Sequence, residues 1–208
     1  TFVESPLIWG IHVAADSDIN SIGQIQGRRY AISRFGSGSH LMAIVDAAER
    51  GWDAGSLEVV VIKNLAGARD ALKNGTADIF FWEQFTTQPF VDNGEFRRVG
   101  VRETLWPAFV IAVNQSVLES KPELVRHTLQ VINGQCHRLM NRDNAVELIS
   151  ERYQLKVDQV QRWFELTKWS TDFECPWESI EKAIEYLNRL AIVEAPETRP
   201  ADVWLDLS

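Results

Sequence analysis

The chain has 208 residues, 45% of them hydrophobic and 24% charged, and 21 Lys and Arg against 29 Asp and Glu leave a formal charge of −8. Such a length makes one large domain or two small ones and hides roughly 70% of its unfolded surface. An acidic chain without a basic run offers nothing for counterion release from a phosphate backbone, which argues against nucleic acid as a partner. Two cysteines, Cys136 and Cys175, are too few for a disulfide scaffold or a thiolate zinc site, and the sequence does not decide whether they pair. No apolar run approaches the ~20 residues of a membrane helix, so direct membrane insertion is not expected. Thr1 to Gly10 has neither a basic n-region nor a small-residue cleavage site.

In chain order, Pro6 to Ala15 reads as a buried strand. Arg28 to Ser33 is the next strand, followed by Gly36-Ser-Gly-Ser-His40 and a helix from about Ser39 to Arg50, with Gly51 suited to the left-handed position that stops it. Leu57 to Ile62 is a β-branched strand. Asn64 caps a helix from Ala66 to Lys73, and Asn74-Gly75 ends it. Ala77 to Phe81 is a further strand, then a short helix around Gln84 to Val91. This alternation implies right-handed crossovers and a mainly parallel sheet. Two more β-like runs follow, Phe96 to Val101 and Ala108 to Val113.

After Asn114 the chain becomes helical. Ser120-Lys-Pro-Glu123 combines a capping box with proline in the first turn. Leu124, Val125, Leu129, Ile132, Cys136, Leu139 and Met140 then recur on one face. Asp143 opens another helix, and Val157 to Leu166 and Ser179 to Ala191 supply two more. Residues 193–208, with Pro196, Pro200 and Trp204, read as an extension. The fold class is α/β with a helical C-terminal part.

The most informative stretch is Ser33-Arg-Phe-Gly-Ser-Gly-Ser-His40, between a strand and a helix. Glycines let backbone N–H groups turn toward one point, and a helix N-terminus adds partial positive charge. Arg34, Ser37 and Ser39 can supply further donors, so the loop suits a carboxylate, sulfonate or phosphate. No Gly-Lys-Ser/Thr closes a Walker loop, and Leu41 stands where a GxGxxG pattern needs its third glycine. A tight turn with glycines for geometry alone is the other reading.

Trp82 and Glu83 end a strand at the side of a parallel sheet where ligands usually bind. Trp82 offers a flat face for a ring, and Glu83 an acceptor for an amine or ring nitrogen. At least one of Phe80 and Phe81 should face the core. Trp106-Pro107 precedes another strand and suits either the same site or packing. His12, His40, His127 and His137 fall in no metal-binding spacing, and only His40 sits near a candidate site, as an anion donor or a simple cap. There is no GxSxG elbow, no HExxH and no cysteine beside a partner histidine, so no catalytic residue, metal ligand or cofactor is assigned and the chain is not expected to be an enzyme.

These signals organise around a resemblance. The run from Ile11 to Ile32, containing Ile22-Gly-Gln-Ile-Gln-Gly-Arg-Arg-Tyr-Ala-Ile32, resembles the strand, polar link and L-x-G-K-x-[VI]-[AG] passage of type II periplasmic binding proteins. It is most similar to the nitrate, sulfonate, taurine and thiamine-pyrimidine-precursor binding group of ABC importers. Gly36 to His40 stands in the place of that group's Gly-Ser-Thr-like anion loop. Ala68 to Trp82 resembles its A-x-x-A-L-x-x-G-x-x-D-A-x-x-x-W passage, and the loop together with Phe81-Trp-Glu83 looks like a subgroup found in bacteria and in fungi. The similarity runs from residue 5 to about 192.

The resemblance implies a type II periplasmic-binding-protein fold with two lobes joined by a hinge. Residues 1–19 would be a hinge strand and remnant of lobe 1, 20–104 the whole of lobe 2, 105–192 the C-terminal strand and helices of lobe 1, and 193–208 an extension. Leu7 to Ala15 and Ala108 to Val113 would be first-lobe strands at the hinge. Relatives have further first-lobe elements before the equivalent of Thr1, which are absent here. A ligand would lie in the interlobe cleft against Ser33, Arg34, Phe35, Gly36, Ser37, Gly38, Ser39 and His40, with Trp82, Glu83 and Trp106 as further lining. The implied function is capture of a small anionic or heteroaromatic solute for an ABC importer. Its membrane subunits would be partners, and the location periplasmic or extracytoplasmic, with the cytoplasm as the alternative because Thr1–Gly10 does not read as a signal peptide. The same fold also serves a thiamine-pyrimidine-synthesis enzyme, whose cysteine-rich loop has no counterpart at Gly36–His40, and ligand-sensing domains.

Overall fold

The structure, a computed structural model, describes residues 1–171 and 176–194. Cys175, Trp204 and most of the expected extension therefore lie outside the described residues. The chain divides into two compact units, one formed by Leu7–Thr104 and one by Thr1–Pro6 with Leu105–Ser208. Two strands, β1 (Val3–Ala14) and β5 (Phe96–Phe109), run from one unit into the other.

The Leu7–Thr104 unit is built on one sheet. Its remaining strands are β2 (Arg29–Ile32), β3 (Glu58–Val61) and β4 (Ile79–Glu83), and the order across the sheet is β3-β2-β4-β1-β5. Strand β2 pairs in parallel with β3 and with β4, as the alternating sequence predicts. Strand β1 instead runs antiparallel to β4, with Trp9 opposite Glu83 and His12 opposite Phe80. It enters the sheet straight from Val3–Pro6, so the crossover rule that orients β2, β3 and β4 does not act on it. The sheet is mixed, and the Leu7–Ala14 part of β1, which the resemblance assigns to the first lobe, is hydrogen-bonded into this one.

Helices cover both faces. Helix α1 (Gly38–Glu49) buries Met42, Ala43, Val45 and Ala47, and α2 (Leu65–Lys73) buries Ala68, Ala71 and Leu72. Phe80 and Phe81 are both essentially unexposed because successive strand residues point to opposite faces and each face has its cover. Phe80 joins Ala31, Ala68, Leu72 and Phe96, whereas the Phe81 ring stacks on Tyr30 at 6.1 Å. Each such side chain contributes about 1.5–3 kcal/mol of apolar burial. Gly51 and Gly75 stand just past α1 and α2 at φ +72° and +69°, which side chains with a Cβ rarely adopt. At the edge away from the candidate loop, Arg29 clamps Asp78 with Nε–Oδ2 3.0 Å and Nη2–Oδ1 2.8 Å. The guanidinium hydrogen bond holds that carboxyl below its ordinary range. The short helix expected around Gln84 is shifted to α3 (Gln88–Asp92).

In the other unit, helices α4 (Gln115–Ser120), α5 (Pro122–Met140), α6 (Ala145–Tyr153), α7 (Val157–Leu166) and α8 (Trp177–Arg189) follow one another. The expected capping box at Ser120 does not form. Asn114 caps the unanticipated α4 by accepting from Ser116 N–H, and Ser120 ends that helix with its hydroxyl on the Ser116 carbonyl. Pro122 does occupy the first turn of α5. The strand expected at Ala108–Val113 stops at Phe109, because residues 110–113 find no partner strand among the described residues. Among the described residues, one core cluster buries Val3, Cys136 and Trp169, with Phe2, Ile132, Trp163 and Phe164 packed around them.

Candidate ligand-binding site

The C-terminal ends of β2 and β4 lie side by side because Tyr30 pairs with Ile79 and Ala31 with Phe80. That register brings the Ser33–His40 loop and Trp82–Glu83 to one edge of the sheet, where parallel strands present their ligand loops. The chain turns at Gly36, with φ +72°, and α1 begins after Ser37. Ser37 Oγ accepts from His40 N–H at 3.4 Å, the capping bond that a residue of this type makes.

The serine hydroxyls face inward. Ser39 is 2% exposed, and its Oγ lies 3.0 Å from Ser33 Oγ and 3.1 Å from Ser37 Oγ while accepting from Ser33 N–H at 3.0 Å. They fix the loop's shape. Gly36 N–H donates to His40 Nδ1 at 3.2 Å, so His40 carries its proton on Nε2. Desolvation holds the His40 imidazole below its ordinary pKa, so it is neutral at pH 7. The donors that the loop does not itself consume are the first helical N–H groups, those of Gly38 and Ser39, His40 Nε2–H and the exposed Arg34 guanidinium, none with an acceptor among the described residues. The Phe35 ring, 65% exposed, meets the His40 ring edge-on at 5.3 Å. This set of donors suits an oxyanion.

Trp82 is half-buried and stacks on Phe80 at 5.2 Å. Glu83 is occupied: its carboxylate accepts from Phe85 N–H at 2.9 Å and from Thr86 N–H at 2.7 Å, closing the turn after β4. Trp106 belongs to the other unit, where its ring lies 6.5 Å from that of Tyr186.

Residues that sequence pattern does not single out complete the edge. Trp9, opposite Glu83, presses its ring on the start of α1. A Cβ built on Gly38 would sit 2.8 Å from Trp9 Cη2, so only glycine lets the helix approach this far. Trp9 Nε1 is buried without a hydrogen-bond partner among the described residues.

His12 is fully buried beneath the turn. Its Nδ1 lies 3.3 Å from the Phe80 carbonyl, and its Nε2 lies 2.9 Å from Thr87 Oγ1 and 3.3 Å from Arg98 Nε. Arg98 only donates, so Nε2 accepts and the proton is on Nδ1. Burial, with Arg98 beside it, drives the His12 pKa down to about 3. Arg98 also holds the Gln84 carbonyl at 2.6 Å and Gln88 Oε1 at 2.8 Å, so the network braces the turn after Trp82. The signal for it was Gly10-x-His12, a glycine on the same strand face that leaves room for the ring: a Gly10 Cβ would meet His12 Cε1.

On the other side of the sheet, the buried Asp46 of α1 receives Arg50 Nε at 2.8 Å and Arg102 Nε at 2.7 Å. An open cavity of about 530 Å³ lies elsewhere in the unit, among Asp16, Arg69, Asp70, Lys73 and Glu95. It includes none of the loop residues.

A sequence model described as Ca3427-like PBP matches residues 9–101, the stretch that carries the loop and Trp82–Glu83. Among solved structures, a Candida albicans protein, the CA3427 gene product, described as exhibiting the generic periplasmic binding protein structural fold, superposes with a TM-score of 0.83 at 23% identity. The match covers 95% of this chain and 67% of that one. The chain has the periplasmic-binding-protein fold. Two other proteins with this fold match at 14% identity. They are the alkanesulfonate-binding protein SsuA of Xanthomonas axonopodis pv. citri, bound to MOPS (TM-score 0.67, 94% of this chain and 70% of that one), and the aliphatic sulphonate binding protein SsuA of Escherichia coli (0.57, 95% and 71%). No curated protein matches the chain in sequence. Among the described residues, no helix is long and apolar enough to cross a membrane and no group of His, Cys, Asp and Glu is placed to hold a metal ion.

Proposed function

We propose that the protein captures a small organic oxyanion, of the sulfonate or carboxylate kind, as the solute-binding component of an ABC-type importer, outside the cytoplasm, and passes it unchanged to membrane subunits. The observation that carries this reading is the Ser33–His40 loop. Its hydroxyls are spent on its own shape, and the N–H groups of Gly38 and Ser39, His40 Nε2–H and Arg34 stay open at the ligand edge of a binding-protein fold. The names of the sulfonate-binding neighbours support the same ligand chemistry. Trp82 stacks on Phe80 at the same end of the sheet, on the face opposite to the one where Trp9 meets Gly38.

A thermal-shift screen of the whole chain against methanesulfonate, taurine, nitrate, thiamine precursors and aromatic carboxylates tests this. At a ligand concentration 100 times Kd, binding stabilises the fold by about 2.7 kcal/mol. A sulfonate or carboxylate should raise Tm, and Arg34→Ala, an exposed change, should reduce the shift. No response to any anion, or a response unaltered in Arg34→Ala and His40→Ala, would remove the loop from the binding site.

A further inference from the structure

Among the described residues, Lys63, Gln154 and Ala191 are the residues other than glycine with positive φ, at +69°, +56° and +56°. Gln154 and Ala191 follow the last turns of α6 and α8, where a left-handed residue ordinarily ends a helix. Lys63 follows a strand. Asn64 N–H donates across it to the Ile62 carbonyl at 2.8 Å, and with that φ the three residues form a γ-turn of the rare, strained hand. The neighbours enforce it. Ile62 is buried and its N–H bonds the Ile32 carbonyl at 2.8 Å, while Asn64 caps α2 by accepting from Gly67 N–H at 3.0 Å. A Cβ on Gly67 would strike the Ile62 carbonyl, so α2 starts hard against the turn. Strain of this kind persists where the surroundings over-determine it, and it clusters at ligand sites. Glycine would hold the same φ without steric conflict, yet the position carries a lysine.

The turn adjoins the candidate loop. Lys63 N–H donates to the Ser33 carbonyl at 3.1 Å, continuing the parallel register of β2 and β3 past Ile32 and Val61. Because β2 lies between β3 and β4, Lys63 stands on the side of the loop away from Trp82–Glu83, one strand spacing of about 4.8 Å from Ser33. Its side chain is exposed and unspent. In the Leu7–Thr104 unit every Lys and Arg side chain except those of Arg34, Lys63 and Lys73 has an ionic or hydrogen-bonded partner among the described residues. Lys73 lies in the last turn of α2, at the far end of that helix. Arg34 and Lys63 flank Ser33, so two unpaired cations stand on the ends of neighbouring strands.

We infer that Lys63 determines specificity at the loop: it takes a second negative group on a ligand whose oxyanion head lies against Arg34, His40 and the start of α1. The ligand class is then a small organic dianion, such as a sulfonate that also bears a carboxylate. The inference rests on the proposed anion-binding role of the loop and adds the charge at the ligand's other end. The N–H groups of Gly38 and Ser39, His40 Nε2–H and Arg34 suffice for one head group, and Lys63 comes from the next strand, on the far side of Ser33. A turn that served only to join β3 to α2 would relax with glycine at this position.

Calorimetric titration of the whole chain with 3-sulfopropanoate, ethanesulfonate and taurine tests it. These share a sulfonate head and carry a negative, no or a positive charge at the other end. The wild type should bind 3-sulfopropanoate at least about tenfold tighter than taurine, with ethanesulfonate between them. Lys63→Gly should abolish that order while leaving ethanesulfonate binding nearly unchanged, and Lys63→Arg should restore it. Lys63→Gly should also raise the Tm of the unliganded chain, because relief of the strained φ outweighs glycine's added chain entropy. Binding that weakens in Arg34→Ala, with an order of ligands that is absent in the wild type or survives in Lys63→Gly, would overturn this inference alone. A lower Tm for Lys63→Gly would overturn it too, since the strain is its ground. If none of the three binds, or binding is untouched by Arg34→Ala, the loop is not a sulfonate site and the inference falls with that reading.

Discussion

His12 makes stability depend on pH in a way that isolates one side chain. The unfolded chain takes up a proton at an ordinary histidine pKa near 6.5, whereas the folded imidazole resists protonation down to about 3. Burial penalises the charged ring, and the Arg98 guanidinium, 3.3 Å from Nε2, opposes a second positive charge there. Between those values the unfolded state binds a proton that the folded state does not, so stability rises with pH. The contribution is complete above about pH 6.5 and is lost progressively as pH falls toward 3. Each unit below 6.5 costs about 1.4 kcal/mol, so lowering pH from 7 to 5 removes roughly 2 kcal/mol. Urea unfolding of the wild type and of His12→Gln at both pH values separates this from the carboxylates, which are common to both chains. The wild type should lose about 1 M more of its urea midpoint than the variant, for an m-value of roughly 2 kcal/mol per molar. Equal losses in the two chains, or an NMR titration of His12 with a midpoint near 6, would refute the buried neutral imidazole.

Asp46→Asn removes the negative charge that two guanidiniums share and leaves Arg50 and Arg102 facing each other, so unfolding stability should fall by about 3–5 kcal/mol in denaturant titration. Asp78→Asn weakens the Arg29 clamp and should cost about 1–3 kcal/mol at pH 7; the cost should fade as pH drops through the depressed pKa of Asp78, because the wild-type carboxyl then protonates as well. Gly38→Ala places a methyl 2.8 Å from Trp9 Cη2, so the start of α1 or the indole must move; tryptophan emission should shift and anion affinity fall, and unchanged binding would detach Trp9 from the site. Ser39→Ala leaves Ser33 N–H without its acceptor and should lower stability by about 1–3 kcal/mol whether or not ligand is present, which separates a scaffolding hydroxyl from a ligand contact.

What was legible in the sequence is what short-range pattern controls. Periodicity located α1, α2 and α7 to within a residue or two, Gly51 announced the left-handed stop of α1, and Asn74-Gly75 marked the end of α2. Alternation of strand and helix is enough to put Ser33–His40 and Trp82–Glu83 on one sheet edge. The direction of β1 was not legible, since it depends on how the chain enters the sheet and not on the composition of Leu7–Ala14. Ser120 illustrates competition: its local motif favours a cap, but Asn114 starts a helix six residues earlier and turns Ser120 into that helix's last residue. Pairings such as Asp46 with Arg102, 56 positions apart, leave no periodic trace.

The same limit applies to roles within the loop. Serines beside glycines before a helix suggest hydroxyl donors to an anion, and the residue types alone cannot distinguish that from hydroxyls that hold one another. The geometry decides for Ser33, Ser37 and Ser39, which form a closed chain of contacts. On the proposed reading, recognition would fall to groups with fixed direction: two backbone N–H groups at the start of α1 and an imidazole whose tautomer Gly36 N–H enforces. Such donors lose little freedom when a ligand arrives, so less of the interaction energy goes into ordering the site. The His12–Arg98 network acts on the facing turn in the same sense, holding the Gln84 carbonyl and Thr87 so that Trp82 keeps its place against Phe80. If the loop binds an oxyanion as proposed, a site shaped beforehand in this way, with Arg34 as a long flexible cation, would select the anionic head by its geometry rather than by net charge.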